Sequence, residues 1–534
     1  MRSSHSSIVS LAACFVSAAI AQSSSSAPVQ PSCSTTLSAS YATPTINSAY
    51  QFRLVAQKLT APRGIIFDTA GNMLVLEQRS GIVAMTLEGD GNCVTAGAPK
   101  TVVNNTDLNH GIAFSPDGKT LYASTSDDVF AWDYDATTAK TTSDPKQLVT
   151  NMTNDDHTTR TLLVPDHVDG IILVSRGSTS NVDFEAQFLD SGHSQIRAFN
   201  ISNATKPYQY VTDGLRLGWG LRNSVGVAEE PLTGGIYSVE NSVDQLSRDN
   251  RDIHEDNPAE EMNFHGYLNG TAYAPQGSNY GYPNCVTAWR PDLLPENANI
   301  TVGTQFKLDD FPTTDQTCMD DRTPPRLAFQ AHMAPLDIKF NGNGSAAWVT
   351  FHGSWDRTNP VGYKVSAIQF ANGSPVEPAN SSVAAIDIFA NPDNSACPDK
   401  CFRPVGLAWD IQGRLFVTSD ATGEVYMILR SDGTPTNGSL PDSVINGPRI
   451  GSAVASAEPT ATSTGGVSGA GSATPTPSSS GSGSAGGASA SASGSASASG
   501  SAAAASSSGA AVMAMPGSQM AMGVGLGLGV WNWI

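Results

Sequence analysis

The sequence predicts an all-β fold: a six-bladed β-propeller with long loop insertions, followed by a disordered Ser/Gly/Ala-rich stalk. Three observations carry this. Residues 404–428 read as three short strands, 405–409, 415–418 and 425–428, with turn chemistry at 410–413 and 420–423. The same grammar recurs over 63–77 and 110–124, and more loosely over 160–174, 225–239 and 336–351, giving six copies. No copy keeps a helical period, and a strand triplet that cannot bury both faces alone is the unit of a propeller blade.

In chain order, residues 1–21 have the layout of a secretory signal, with Arg2 at the start, an apolar stretch at 8–16 and Ala19-Ile20-Ala21 at the cleavage point. That apolar stretch is too short to span a bilayer. Residues 22–45 form a Ser/Pro/Thr-rich lead-in, and the propeller is expected over 46–440. A long insertion, residues 244–325, is expected between blades four and five, on the face that carries the site. Residues 441–508 are a low-complexity Ser/Ala/Gly linker whose composition cannot offset its ordering entropy. Residues 509–534 form an apolar tail which, with the small residues at 508–510, has the layout of a GPI-anchor signal.

Cys14 leaves with the signal, so six cysteines remain in a context that favours disulfides. Proximity pairs Cys397 with Cys401 and Cys285 with Cys318, leaving Cys33 with Cys93; the sequence alone leaves the connectivity open. Ten Asn-x-Ser/Thr sequons agree with an exported glycoprotein. The 534 residues carry a formal charge of −19. This excludes the basic footprint that nucleic acid requires and disfavours an anionic membrane surface. A membrane is expected as a partner only through the anchor.

The candidate chemistry lies where inner strands begin or second strands end. Asp156 and His157 precede the apolar run at 161–164; an imidazole beside a carboxylate at a strand entrance suits a general base. Arg222 and Asn223 enter blade four, offering a fork of donors and an amide. Arg63 and Arg403 are read at the equivalent blade entrances. Three arginines converging on one funnel of an acidic protein call for an anionic ligand. His352, Trp355 and Arg357 share the loop that leaves the second strand of blade five and suit a stacked ring ligand. The segment 237–243, with Glu260 to Asn263 downstream, reads as oxygen-rich turns able to hold calcium. No CxxC zinc spacing, phosphate-cradling glycine loop or Gly-x-Ser-x-Gly elbow is present.

At these residues the chain resembles the soluble pyrroloquinoline-quinone (PQQ) sugar dehydrogenases, and more closely the fungal pyranose dehydrogenases and sorbosone-dehydrogenase-like proteins. The resemblance rests on Asp156-His157, Arg222-Asn223, Val239-Glu240, residues 260–263, 279–284 and 351–357, and Arg403-Pro404-Val405, spread in family order over most of the propeller. It implies PQQ bound across the funnel and calcium beneath the quinone. His157 is then the base that takes the proton of the anomeric hydroxyl, with Asp156 supporting it. Arg222 and Asn223 are expected at the quinone oxygens, and Arg357, Arg403 and Arg63 at the cofactor's carboxylates, with His352 beside them. Where bacterial members supply calcium carbonyls from Gly-Pro, this chain has Ser242 and Val243, which become the expected metal ligands. Residues 106–110 replace a Gln-containing segment of the bacterial enzymes, so the substrate side differs from glucose dehydrogenase.

The expected function is therefore a secreted, cell-surface-anchored quinoprotein that oxidises a pyranose to a lactone. Electrons would pass to an external acceptor, a cytochrome domain or another redox protein. Two other classes share the fold: calcium-dependent lactonases or esterases, which have no use for clustered funnel arginines, and non-catalytic carbohydrate-binding propellers of the cell wall, which tolerate loss of His157.

Overall fold

The computed structural model describes residue 33, residues 36–448 apart from 298, and residue 450. The signal at 1–21, residues 22–32 of the lead-in, the linker beyond 450 and the tail at 509–534 lie outside the described residues.

Six sheets, each built on four antiparallel strands, form the propeller. Blade one comprises Pro62–Phe67, Met73–Glu77, Gly81–Met85 and Lys100–Val103. Blade two comprises Ile112–Phe114, Thr120–Ser124, Val129–Asp135 and Lys146–Thr150, and blade three Leu162–Leu163, Ile171–Arg176, Gln195–Asn200 and Leu215–Trp219. Blade four is Ser224–Glu229, Gly235–Glu240, Glu260–Tyr267 and Leu327–Phe329; blade five is Pro335–Phe340, Ala346–Phe351, Lys364–Ala371 and Ala385–Ala390. Blade six, Pro404–Trp409, Leu415–Ser419 and Glu424–Arg430, takes its outer strand from the other end of the chain, Tyr50–Ala56. The ring is thereby closed.

Second strands are buried along all or nearly all of their length, as in Met73–Glu77 and Ile171–Arg176, because neighbouring blades cover both their faces. The core lies between blades: Leu74, Leu76 and Ile82 of blade one pack with Leu121, Ala123 and Trp132 of blade two. Near the axis the inner strands come close enough to require glycine. A Cβ on Gly111 would stand 2.1 Å from the Arg160 carbonyl oxygen, and one on Gly406 2.3 Å from that of Arg63. Second-strand hydroxyls pin the same carbonyls: Ser124 Oγ donates to Arg160 O at 2.6 Å and Thr418 Oγ1 to Arg63 O at 2.9 Å. This is why blades two and six carry a glycine at the inner strand and a Ser or Thr in the second.

Two sequence expectations are corrected. The insertion does not separate blades four and five: Glu260–Tyr267 and Leu327–Phe329 are the third and fourth strands of blade four, so the insertion lies inside that blade. Glu260 to Asn263 is therefore buried strand, not a turn. What remains of the insertion has its own small core of Val243, Leu246, Ile253, Tyr282, Val286 and Phe306, with the hairpin Cys285–Thr287/Gln305–Lys307 and the helix Asp315–Asp321. The packed region also runs past 440, since Leu440 and Val444 join the cluster between blades five and six. The three disulfides are Cys33–Cys93, Cys285–Cys318 and Cys397–Cys401, as proximity in sequence suggests.

Candidate active site

An inner strand begins and a second strand ends at the same edge of its blade, so the loops at 152–160, 176–194, 220–223, 240–256, 352–363, 403 and 420 share one face of the ring. Two polar constellations form there.

The first surrounds His157. Gly177, just past the second strand of blade three, makes the meeting possible: a Cβ there would lie 2.7 Å from both the Asn223 Oδ1 and the His157 Cβ. The loop is laced from below. Arg160, fully buried, donates from Nη1 to the carbonyls of His157 (2.8 Å) and Thr159 (2.6 Å), and from Nη2 to that of Met152 (2.5 Å). All three partners are backbone carbonyls. The Asn154 amide donates to the carbonyls of His157, Gly177 and Ser178, and its Oδ1 accepts from Arg176 Nε at 3.1 Å. His157 Nδ1 meets the Ser178 Oγ at 2.8 Å, while Asp156 lies 4.0 Å from Nε2 with a side chain 55% exposed. Burial, reinforced by the Arg222 cation, pushes the His157 imidazole down to about 3. It is a neutral ring.

Arg222 closes this constellation. Its guanidinium donates to Asn181 Oδ1 (2.8 Å), Asn181 O (3.1 Å), Asp244 Oδ2 (3.0 Å) and Asn241 O (3.3 Å). Tyr282, from the 279–284 motif, donates its hydroxyl to Asn181 O at 3.0 Å and so supports the residue that holds Arg222. Behind it, the Glu240 carboxyl accepts the Arg222 backbone N–H, and Glu240 and Glu261 are cross-strand partners whose carboxyls both accept from the Asn263 amide. Burial raises both carboxyls, and the Glu261 carboxylate raises Glu240 further.

The second constellation joins blades one, five and six. Arg63 Nη1 donates to Asp420 Oδ2 at 2.9 Å; His352 Nε2 meets Asp420 Oδ1 at 2.9 Å; Arg403 Nη2 meets His352 Nδ1 at 3.0 Å. Arginine only donates, so His352 Nδ1 accepts and its Nε2–H must donate to Asp420. Burial alone would raise the Asp420 carboxyl, but His352 and Arg63 hold it well below the usual range. Polar atoms remain unspent: the donor Arg63 Nε, and Nδ1 of the adjoining His110, are buried without a partner among the described residues.

At the insertion edge, ligand atoms of Asp244, His332 and Asp356 lie within 4.8 Å of one another. His332 Nε2 faces the His254 carbonyl at 2.5 Å, which leaves Nδ1 toward Asp244 Oδ1 at 3.5 Å. Burial would lower His332, yet Asp244 and Glu260 outweigh it and the ring is raised. Ser242 and Val243 adjoin this corner, and no group among the described residues donates to their carbonyls. The Ser242 N–H itself donates to Glu260, whose carboxyl burial pushes up to about 7.

The structure thus brings His157, Arg222 and Asn223 together, and separately Arg63, His352 and Arg403. Two corrections follow. The arginines are not at equivalent blade positions: counted from the inner-strand glycines Gly64, Gly226 and Gly406, Arg63 stands immediately before, Arg403 further upstream and Arg222 further still. Arg357 joins neither group; it faces Asp256 at 3.4 Å, while the Thr358 N–H donates to Glu255, so this loop clamps the insertion. Sequence reasoning missed Ser178, Arg160, Asp244, His332 and Asp420. Asp420 was legible in principle, because it follows the second strand of blade six as His352 follows that of blade five.

The chain is 48% identical over 404 residues to a pyrroloquinoline quinone-dependent sugar dehydrogenase of Hypocrea jecorina, covering 74% of this chain and 91% of that protein. It is 39% identical over 412 residues to a pyrroloquinoline quinone-dependent pyranose dehydrogenase of Coprinopsis cinerea, covering 73% of this chain and 55% of that longer protein. Among solved structures, the calcium structure of the Trichoderma reesei family AA12 enzyme superposes with a TM-score of 0.73 at 48% identity, covering 75% of this chain and 100% of that one. The holo pyranose dehydrogenase PQQ domain of Coprinopsis cinerea gives 0.69 at 36% identity, covering 74% and 99%. Residues 44–431 match the TrAA12-like family, and the chain belongs to it.

Proposed function

We propose that this protein is a PQQ-dependent sugar dehydrogenase that oxidises the anomeric hydroxyl of a pyranose to the lactone. The observation that carries the reading is the pairing, on one face of a −19 protein, of a buried neutral imidazole with two separate cationic groups. The donor set fits a flat tricarboxylate: Arg63 and Arg403 hold unspent N–H groups beside His352, and the buried Arg63 Nε has no protein partner among the described residues. Arg222 and Asn223 stand beside His157, where they would donate to the quinone oxygens. PQQ, when bound, supplies the acceptor for the hydride leaving the anomeric carbon.

The chain's own part is acid–base and electrostatic. His157 Nε2 takes the hydroxyl proton, and loss of that proton together with the hydride turns the C–O bond into the lactone carbonyl. Burial in the loop that Arg160 holds keeps the base unprotonated. Calcium would be held at the insertion edge, by the carbonyls of Ser242 and Val243 and by Asp244, with Asp356 and His332 adjacent. Hard oxygen donors suit that ion. Trp355, 61% exposed beside Asp356, would border the substrate.

The reading extends to an exported protein that passes electrons to an external redox partner and is held at the cell surface by its tail. Its support is the 1–21 leader, the three disulfides and the 509–534 tail composition.

The test is to strip the protein with chelator, add back PQQ and calcium, and follow dye reduction with a panel of pyranoses. Saturable activity requiring both is expected. His157→Ala should lose at least about 100-fold in kcat while PQQ affinity is unchanged. A folded protein that binds no PQQ would overturn the assignment.

A further inference from the structure

We infer that Ser178 is a positioning residue: its hydroxyl fixes the ring tautomer of His157 and leaves Nε2 as the unprotonated nitrogen facing the site. The inference rests on the reading of His157 as the base, and deepens it.

The Ser178 hydroxyl has one hydrogen, and it goes to the Ser180 carbonyl at 2.8 Å. Its oxygen, 2.8 Å from His157 Nδ1, is therefore an acceptor there, and Nδ1 must carry the proton. The alternative places a lone pair on Nδ1 directly against the Ser178 carbonyl oxygen, 3.2 Å away, which would repel it. That carbonyl cannot do the work alone. It already accepts the His157 N–H at 3.3 Å and the Asn154 amide at 3.1 Å, so both its lone pairs are engaged. Ser178 is fully buried, which removes water as a substitute partner.

With Nδ1–H committed inward, Nε2 keeps its lone pair. The exposed Asp156 carboxylate stands 4.0 Å from it, beyond hydrogen-bond reach. The other charges that act on the ring are Arg222, Asp244 and Arg160. The orienting group on Nδ1 is therefore neutral. A hydroxyl sets direction without stabilising a protonated ring as a carboxylate would, so the base is aimed but not made stronger.

The experiment is made first on cofactor-free protein. Selective 15N-histidine labelling, with His157 identified by its loss in His157→Ala, reads each ring nitrogen. The expected result is a protonated Nδ1 and an unprotonated Nε2 in the wild type, a mixture of tautomers in Ser178→Ala, and a return to the wild-type pattern in Ser178→Thr, which restores the hydroxyl. With PQQ and calcium added, Ser178→Ala should lose roughly 10- to 100-fold in kcat with little change in KM, because aim rather than binding is lost. Ser178→Thr should recover most of it. A protonated Nε2 in the wild type overturns the inference. So does a Ser178→Ala protein with the wild-type tautomer and kcat while His157→Ala is inactive. Full turnover by His157→Ala would instead remove the base reading itself, and with it the role given to Ser178.

Discussion

His265 lies wholly inside the wall between the third strand of blade four and the insertion, with Nε2 on Ser238 Oγ at 2.7 Å and its ring against Tyr280. Burial alone pushes it down to about 3. The folded protein therefore refuses a proton that the unfolded chain accepts near 6.5, so stability is fully present above that pH and drains as pH falls toward 3. Removing the ring removes the drain. The cost of His265→Gln, measured by denaturant melts, should shrink by roughly 2 kcal/mol between pH 7.5 and pH 5; a cost independent of pH would show that the folded ring takes its proton as readily as the unfolded one. Arg403 belongs to a different class, since its partners His352 and Gly353 are contacts it keeps while holding donors in reserve. Arg403→Ala should raise the dissociation constant for PQQ about 10- to 100-fold, the worth of one charge-assisted hydrogen bond, with melting little changed. Equilibrium titration of the stripped protein checks this. At this scale the charged residues were legible because few arginines stand beside inner strands. Ser178 was not, because a serine after a strand reads as ordinary turn chemistry until its partner on the facing loop is seen.

Within elements, the inner strands are held by the approach of one blade's backbone to the next. Gly406 is the clearest case, with space for a Cβ already filled by the Arg63 carbonyl at 2.3 Å and by Thr418 Oγ1 at 3.2 Å. Gly406→Ala should cost about 1–3 kcal/mol, as overpacking does. It should also weaken PQQ binding, since the strand displaced is the one carrying Arg63, whereas Gly71→Ala, with no atom within 4 Å of the added carbon but a φ of +84°, should cost stability without touching the cofactor. Melting and titration of both variants separate the two effects. The six inner and second strands were legible because apolar runs and turns alternate there. The third strand of blade four was not: Glu260, Glu261 and Asn263 look like solvent-facing polar sequence. They are buried because Ser242, Ala334 and Thr287 donate to the glutamates and Asn263 bridges Glu240 and Glu261. Outer strands such as Lys100–Val103 were missed for a plainer reason, being short and half exposed.

For the whole ring, closure depends on a strand that no repeat announces. Tyr50–Ala56 pairs antiparallel with Glu424–Arg430, joining segments some 370 residues apart, with Tyr50 opposite Arg430 and Ala56 opposite Val425. A pattern read along the chain cannot see a pairing between its ends. The strand buries Leu54 and Val55, together worth roughly 3–6 kcal/mol. Phe52 packs on Phe389 of blade five at 5.0 Å and Tyr426 of blade six at 6.0 Å. The backbone ladder adds to this, and a whole domain is held by only ~5–15 kcal/mol. Removing everything before residue 57 deletes no site residue, since Arg63 is the first of them. Yet it exposes the edge of blade six, and Arg403 and Asp420 sit on that blade opposite Arg63 of blade one. The expected result is loss of both cooperative melting and PQQ binding, while Val55→Asp in the full chain lowers both in proportion. A truncated chain that still melted as one unit and bound PQQ would show that contacts between inner strands, rather than the shared outer sheet, hold the ring closed.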